Sequence, residues 1–339
     1  MELKYTITGR EARIDKIEEV GAVVSVPEEL EGCPVTELGA YVLSGSDVEE
    51  VHLPPNLKKI GAYGFYECDK LRRIYCYSRV TDLGAGLFAG VRSVELLDIT
   101  EFEGEKSCFQ DMLSELRQTL RVRLRPAESG AGRDMHWTED GAGRAGDLAE
   151  ARLIFPEYFE ESVENTPARI LFIETHGCGH RYRYCFANRQ FQYLSYDELF
   201  PHAKVQEPEE LVTELALGRL LFSAGLSEAH RVMYLDYVRE HWQTAGRLLI
   251  GADGWNRGAV TNLEPGGLPW LVESVLSPEK TLGMQLETLI SMAQQAGDTE
   301  MVSWLMDYRH LMQTGAACTG TGEEGLPGQQ RRRKKRFEL

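Results

Sequence analysis

The densest grouping of reactive side chains is the stretch Thr175 to Phe186, THGCGHRYRYCF, which places His176, Cys178, His180 and Cys185 within ten positions. Imidazole nitrogen and thiolate sulfur together form the donor set of a tetrahedral zinc centre. His176, Cys178 and His180 alternate about Gly177 and Gly179, so a turn there would draw them together, yet the spacing fits no standard finger or ribbon. A thiolate nucleophile with an imidazole base would further require an oxyanion donor and a cleft, which spacing alone does not supply. P-loop, HExxH and GxSxG patterns do not occur in the sequence. The segment therefore reads first as a β-hairpin with a His/Gly turn, Arg181-Tyr182-Arg183-Tyr184 being an alternating strand, with no metal or other cofactor. The alternative is a metal-binding protein or metal-dependent hydrolase centred on the four side chains.

The elements that must position this cluster are β-like. Ala151 to Pro156 and Ala168 to Glu174 (ARILFIE) are short apolar runs, and Cys108 to Leu124 shifts from helical spacing to alternation, a helix running into a strand. Between them Pro126 to Asp147 is glycine, alanine and charge with little apolar content, which predicts a flexible insertion near 126–147. Residues 101–206 are accordingly expected to form a β-rich middle domain.

Upstream a motif returns three times, as LGAYVLSG from Leu38, IGAYGFYEC from Ile60 and LGAGLFAG from Leu83, at steps of 22 and 23 residues. That period is the mark of a stacked solenoid. The strands Lys4 to Thr8 and Glu11 to Lys16, hinged at Gly9-Arg10, predict a hairpin that caps it. Apolar triplets then recur as Val24-Ser25-Val26, Val51-His52-Leu53, Ile74-Tyr75-Cys76 and Val94-Glu95-Leu96. Strand alternation turns the outer members of each triplet inward and leaves an outward ladder of Ser25, His52, Tyr75 and Glu95. Prolines at 27, 54 and 55 end the pairing, and the Leu-Gly or Ile-Gly step that follows permits positive φ or a close approach between coils. Leu43, Phe65 and Phe88 share one phase and are expected to plug the core between coils.

Strand, Pro turn, Leu/Ile-Gly step and Ala-Phe plug together resemble the BspA-type leucine-rich repeats over about residues 20–100, most fully in VHLPPNLKKIGAYGFYECDKLRRI from Val51 to Ile74. In the first copy Val42-Leu43 stands where the pattern has its Ala-Phe plug. The resemblance implies a β-solenoid over residues 1–100, hairpin cap included, and a role in binding proteins; many such proteins are exported and surface-attached.

From Glu207 the pattern becomes helical: a leucine stripe over 211–222, then Ser227 as N-cap of a helix to His241. A Trp-Leu pair occurs at Trp270-Leu271 and again at Trp304-Leu305, 34 residues apart, and Leu289 to Tyr308 resembles the two helices and Gly turn of an ankyrin repeat. The expectation is an α-helical region over 207–312, ankyrin-like near 266–310 or a plain bundle, then a disordered basic tail over 313–339. The fold class is thus α+β.

Composition narrows the function. Of 339 residues 42% are hydrophobic and 9% aromatic, ordinary for a globular chain, and the net charge is −16. Without the basic run Arg331 to Arg336 there are 31 basic against 53 acidic side chains, a charge of −22. Such a body repels phosphate backbones, so nucleic acid is expected only through the tail. The N-terminus has no signal-like apolar run, no stretch reaches membrane-spanning length, and seven scattered cysteines suit reduced thiols, which predicts a cytoplasmic, bacterial-type protein. The reading is a non-enzymatic scaffold that binds another protein through His52, Arg73, Tyr75 and Glu95, aromatic and Arg side chains being the commonest interface anchors.

Overall fold

The computed structural model describes residues 2–102, 107–127, 150–165, 170–250, 263, 267–276 and 282–314. The chain forms two compact units, Met1–Pro278 and Glu279–Leu339.

The first unit opens with Glu2–Thr8 (β1) and Glu11–Glu18 (β2), an antiparallel hairpin turning at Gly9 with φ +66°. The strands Val23–Ser25 (β3), Glu29–Leu30 (β4), Cys33–Leu38 (β5), Glu50–His52 (β6), Lys59–Ile60 (β7), Arg73–Tyr77 (β8), Asp82–Leu83 (β9) and Leu96–Glu101 (β10) then wind a solenoid. Its coils feed two sheets. One runs β1-β2-β5-β7-β9, so the hairpin caps that sheet by pairing β2 in parallel with β5. The other begins at β3 and passes through β6, β8 and β10, all parallel.

Each coil fits the next because of its glycine step. A Cβ at Gly61 would lie 2.4 Å from Ala40 N, and one at Gly84 would lie 2.1 Å from Ala62 N. Close approach of backbones, not positive φ, is what requires glycine here. Inside, Leu43, Phe65 and Phe88 are buried in one column, with the two phenyl rings stacked at 5.5 Å. Val24, Val51, Ile74 and Leu97 form the second inward column, each 0–1% exposed.

The strand stack runs on past residue 100. After the helix Phe109–Glu115 (α1), Leu120–Pro126 (β11) pairs in parallel with β10 and adds Val122 to the inward column. Ala151–Phe155 (β12) pairs antiparallel with β11 and ends the sheet. On its open edge Tyr196 Oη accepts from Ile154 N at 2.9 Å and donates to Ile154 O at 2.7 Å, and Ala151 makes an isolated bridge to Ser223. The expected insertion at 126–147 lies almost wholly outside the described residues.

Phe159–Asn165 (β13) and Ile170–His176 (β14) form a two-stranded hairpin. Next come a helical turn, Gly179–Tyr182 (α2), a small hairpin of Phe186–Ala187 (β15) and Gln190–Phe191 (β16), and the helices Tyr193–Asp197 (α3), Phe200–Gln206 (α4), Glu209–Leu221 (α5), Glu228–Glu240 (α6), Trp242–Ile250 (α7) and Gly267–Trp270 (α8). A π-helical turn follows over Leu271–Leu276. Ser227 caps α6 as expected, accepting from His230 N. Helix α5 lies on β12, and a Cβ at Gly218 would sit 3.0 Å from Arg152 O. A buried pair, Arg219 Nε to Asp197 Oδ1 at 2.8 Å and Arg219 Nη2 to Asp197 Oδ2 at 3.0 Å, joins α5 to α3, and Tyr234 Oη of α6 donates to the same carboxylate at 2.8 Å. The second unit holds Leu282–Ala296 (α9) and Thr299–Gln313 (α10), joined at Gly297 with φ +73°. The tail lies outside the described residues from 315 onward. A β-solenoid, mixed strands and a helical part make the fold α+β, as the sequence predicts.

Candidate functional site: the outward ladder of the solenoid

Register fixes which side chains share the outer face of the β3-to-β12 sheet. Ser25, His52, Tyr75, Asp98 and Arg123 are successive Cα partners across β3, β6, β8, β10 and β11. A second outward column, two residues earlier on each strand, holds Val23, Glu50, Arg73, Leu96 and Arg121. The expected ladder is correct for three coils and wrong in the fourth. The fourth strand begins at Leu96, so Asp98 stands where Glu95 was expected. Val94 is inward-facing as expected, but it belongs to the turn before the strand. The step of 23 residues from Val51 to Ile74 leads to Leu97 and contains the correct register; the apolar triplet at 94–96 competes with it three positions early.

His52 and Tyr75 lie ring on ring, centroids 4.4 Å apart and planes within 1°. Cross-strand neighbours of this kind contribute about 0.2–1 kcal/mol. Glu50, which sequence reasoning missed, holds both sides of the group: its Oε1 is 2.7 Å from His52 Nε2, and its Oε2 accepts from Arg73 Nε at 2.6 Å. Burial pushes the Glu50 carboxyl up, but the hydrogen bonds from His52 and Arg73 outweigh it and the net shift is downward. The Tyr75 phenol is raised, by burial first and then by the Glu50 charge. Glu95 lies one residue before β10 and is engaged elsewhere, accepting from Arg72 Nε at 3.0 Å and from Arg72 Nη2 at 2.7 and 2.9 Å. Arg72 and Glu95 line a shallow cleft with Glu49, Lys70 and Arg92.

Burial along the ladder is graded. Ser25 is exposed, His52 and Tyr75 are half-buried, and Asp98 is 2% exposed. Asp98 accepts from Arg125 Nε and Nη2 at 2.9 and 2.7 Å; burial raises its carboxyl and the Arg125 charge only partly offsets this. In the neighbouring column Arg121 is taken by Glu214 of α5, with two contacts of 2.7 Å. Asp98 is thus the covered rung, Arg123 beyond it is half-buried again, and the first three coils form one open stretch before it. A tyrosine pair also missed from the sequence, Tyr41 and Tyr63, stacks at 5.2 Å on another part of the coils; its signal was the shared GAY of the first two copies.

The His/Cys cluster does not assemble. His176 ends β14, stacked on Phe159 at 4.7 Å, while His180 lies between the rings of Tyr158 and Tyr184. Cys178 is buried and donates to Glu207 Oε1 at 3.0 Å, and Cys185 donates to Arg181 O at 3.7 Å. Burial raises both thiols, Cys185 to about 12, which suppresses the thiolate that ligation or attack needs. Among the described residues, side chains of His, Cys, Asp and Glu form no group of three able to hold a metal. The alternating strand expected at 181–184 is also corrected. Residues 179–182 form a helical turn with Arg183 as its C-cap, and Tyr182 and Arg183 are both buried, which a half-exposed strand does not allow. Arg183 donates to the carbonyls of Leu116, Pro156, Gly179 and Gln118 at 2.6–3.0 Å, tying the turn to the loop after α1.

Parallel coils of about 23 residues, a continuous apolar core and a two-sheet winding define the leucine-rich-repeat class of solenoid. Within that class residues 34–119 match the BspA type leucine rich repeat region in six copies. Among solved structures, a leucine rich repeat protein of T. pallidum is similar at 23% identity with a TM-score of 0.26; the match covers 34% of this chain and 56% of that one. No curated protein matches the chain. Among the described residues no helix is long and apolar enough to cross a membrane.

Proposed function

We propose that the protein is a non-enzymatic protein-interaction scaffold whose partner docks on the first three coils of the outward ladder, over His52, Tyr75, Arg73 and Glu50. The observation that carries this reading is the parallel His52–Tyr75 stack on the half-open stretch of the sheet. Aromatic and Arg side chains held rigid before binding lose little entropy on docking and make efficient anchors. Glu95, bound to Arg72, flanks the site and is not one of its anchors. The family match supports the interaction role, and the raised thiols and scattered imidazoles favour it over metal or nucleophilic chemistry. The helical part is read as a second, ankyrin-like surface of the same scaffold, and the compartment as a reducing cytoplasm in which the buried thiols stay free.

The test is the double variant Arg73→Ala with Tyr75→Ala. It should lose most of the partners captured from a native lysate, identified by mass spectrometry, while the melting temperature changes by only a few degrees. Capture identical to wild type would remove the ladder as the site.

A further inference from the structure

Three sulfur atoms meet inside the first unit, away from the outward ladder and from the segment Thr175 to Phe186. Cys76 of β8 is 2% exposed, and Cys108, the N-cap of α1, and Met112 within that helix are fully buried. Cys108 and Met112 are one helical turn apart, Met112 N donating to Cys108 O at 3.0 Å, so their side chains leave the same side of α1. Cys76 Sγ stands 3.8 Å from Met112 Sδ, and Cys108 Sγ donates to the carbonyl of Tyr77, the next residue of β8, at 3.6 Å. The two thiols are in hydrogen-bonding contact with each other, and this contact, ahead of burial, raises the Cys76 thiol. Both cysteines are free.

Two thiols and a thioether make an all-sulfur donor set, which selects copper(I) over zinc, calcium or magnesium. Zinc draws four donors from Cys, His and carboxylate side chains, whereas copper(I) is satisfied by three sulfurs in one plane. Metal–sulfur bonds of about 2.3 Å at 120° hold the sulfurs about 4.0 Å apart, and Cys76 Sγ and Met112 Sδ already have nearly that separation. We propose that Cys76, Cys108 and Met112 form a buried trigonal site for one copper(I) ion. On binding, each thiol gives its proton to water and forms one Cu–S bond, and the thioether adds the third bond without losing a proton. The metal stays copper(I), so neither oxidant nor reductant is required. Two protons leave for each ion bound, and loading therefore weakens as pH falls. The way in is through α1, which is seven residues long with no side-chain hydrogen bond at its cap; so short a helix is marginal by itself and opens locally. The bound ion ties α1 to β8, and the proposal does not depend on the ladder.

Anaerobic titration of the full chain with copper(I), in competition with the chromogenic chelator bicinchoninate, tests the site. Wild type should withdraw one tight equivalent from the chelator, slowly because α1 must open, and X-ray absorption of that ion should show sulfur ligands at about 2.3 Å. Cys76→Ala should lose the equivalent. Met112→Leu, a volume-conserving change that keeps the core packed, should bind at least tenfold more weakly with an unchanged far-UV circular dichroism spectrum. A wild-type chain that takes up no copper, or a Met112→Leu chain that binds it as wild type does, overturns the proposal. So does a folded Cys76→Ala chain that keeps its tight equivalent.

Discussion

Replacing Gly61 with alanine tests whether direct backbone contact sets the coil spacing on which the ladder depends. The new Cβ would lie 2.4 Å from Ala40 N, 2.6 Å from Gly39 C and 2.9 Å from Ala40 Cα. All three are backbone atoms, so no side chain can swing aside, and the coils must part by roughly 1 Å to reach ordinary contact near 3.5 Å. Two hydrogen bonds join these coils at this point, Gly61 N to Leu38 O at 2.8 Å and Tyr41 N to Ala62 O at 3.0 Å. Losing both costs about 1 kcal/mol each, and the overpacking itself about 1–3 kcal/mol. The sum, about 3–5 kcal/mol, is a large share of the roughly 5–15 kcal/mol that holds a domain folded. Urea unfolding followed by far-UV circular dichroism should show a midpoint lower by about 2 M, taking a slope of about 2 kcal/mol per molar. Gly283→Ala is the matched control: a Cβ there meets nothing within 4 Å, and alanine in a helix is about 1 kcal/mol better than glycine. A loss below about 1 kcal/mol for Gly61→Ala would refute the close-contact reading of the repeat.

Tyr196→Phe removes one hydroxyl and strands both the N–H and the C=O of Ile154 on a buried edge, which should cost about 2–3 kcal/mol; amide exchange at Ile154 should speed up while that at Val51 stays slow, and equal rates in variant and wild type would contradict this. Glu50→Gln probes the clamp through pH. Because the folded-state pKa of Glu50 is net lowered from 4.5, its charge contributes stability that is complete above about pH 4.5 and is lost as pH falls through the folded value. The gap between wild type and Glu50→Gln, about 1 kcal/mol at pH 7, should close on acidification, and a gap that widens toward pH 3 would contradict the assignment.

How much could be read beforehand follows from where the information lies. The solenoid was legible because its constraints are local and repeated: Gly61 and Gly84 fill one steric role a coil apart, and Phe65 and Phe88 fill one core position. The fourth strand was misplaced because Val94, Leu96 and Leu97 are all buried, so alternation loses its contrast there and only the period decides. Glu50 was missed because its role is a cross-strand geometry between residues 23 apart, invisible until the register is known. The fate of the His/Cys cluster depends on partners still more distant. Arg183 reaches Leu116 and Cys178 reaches Glu207, contacts that spacing within Thr175 to Phe186 does not contain.

The same long-range contacts determine which part of the ladder remains available. A parallel sheet face of this kind would be open along its whole length if the coils simply stopped. Here β12 reverses direction, Tyr196 closes its edge, and α5 sets Gly218 against Arg152 and Glu214 against Arg121. The α5 contacts occupy the far end of the outer face, and the ladder runs from exposed Ser25 through half-buried His52 and Tyr75 to buried Asp98 and half-buried Arg123 as it nears them. Polar side chains at the covered end are matched to fixed partners, Asp98 to Arg125 and Arg121 to Glu214, so their charges are spent within the chain. At the open end Glu50 orders His52 and Arg73 but leaves the stacked rings and the guanidinium partly accessible. The helical part thus takes up Arg121 and Arg152 at the far end of the outer face, while the stacked rings at the near end stay half-open. On the proposed function, a partner that reads this patch would meet aromatic faces and one Arg–Glu pair.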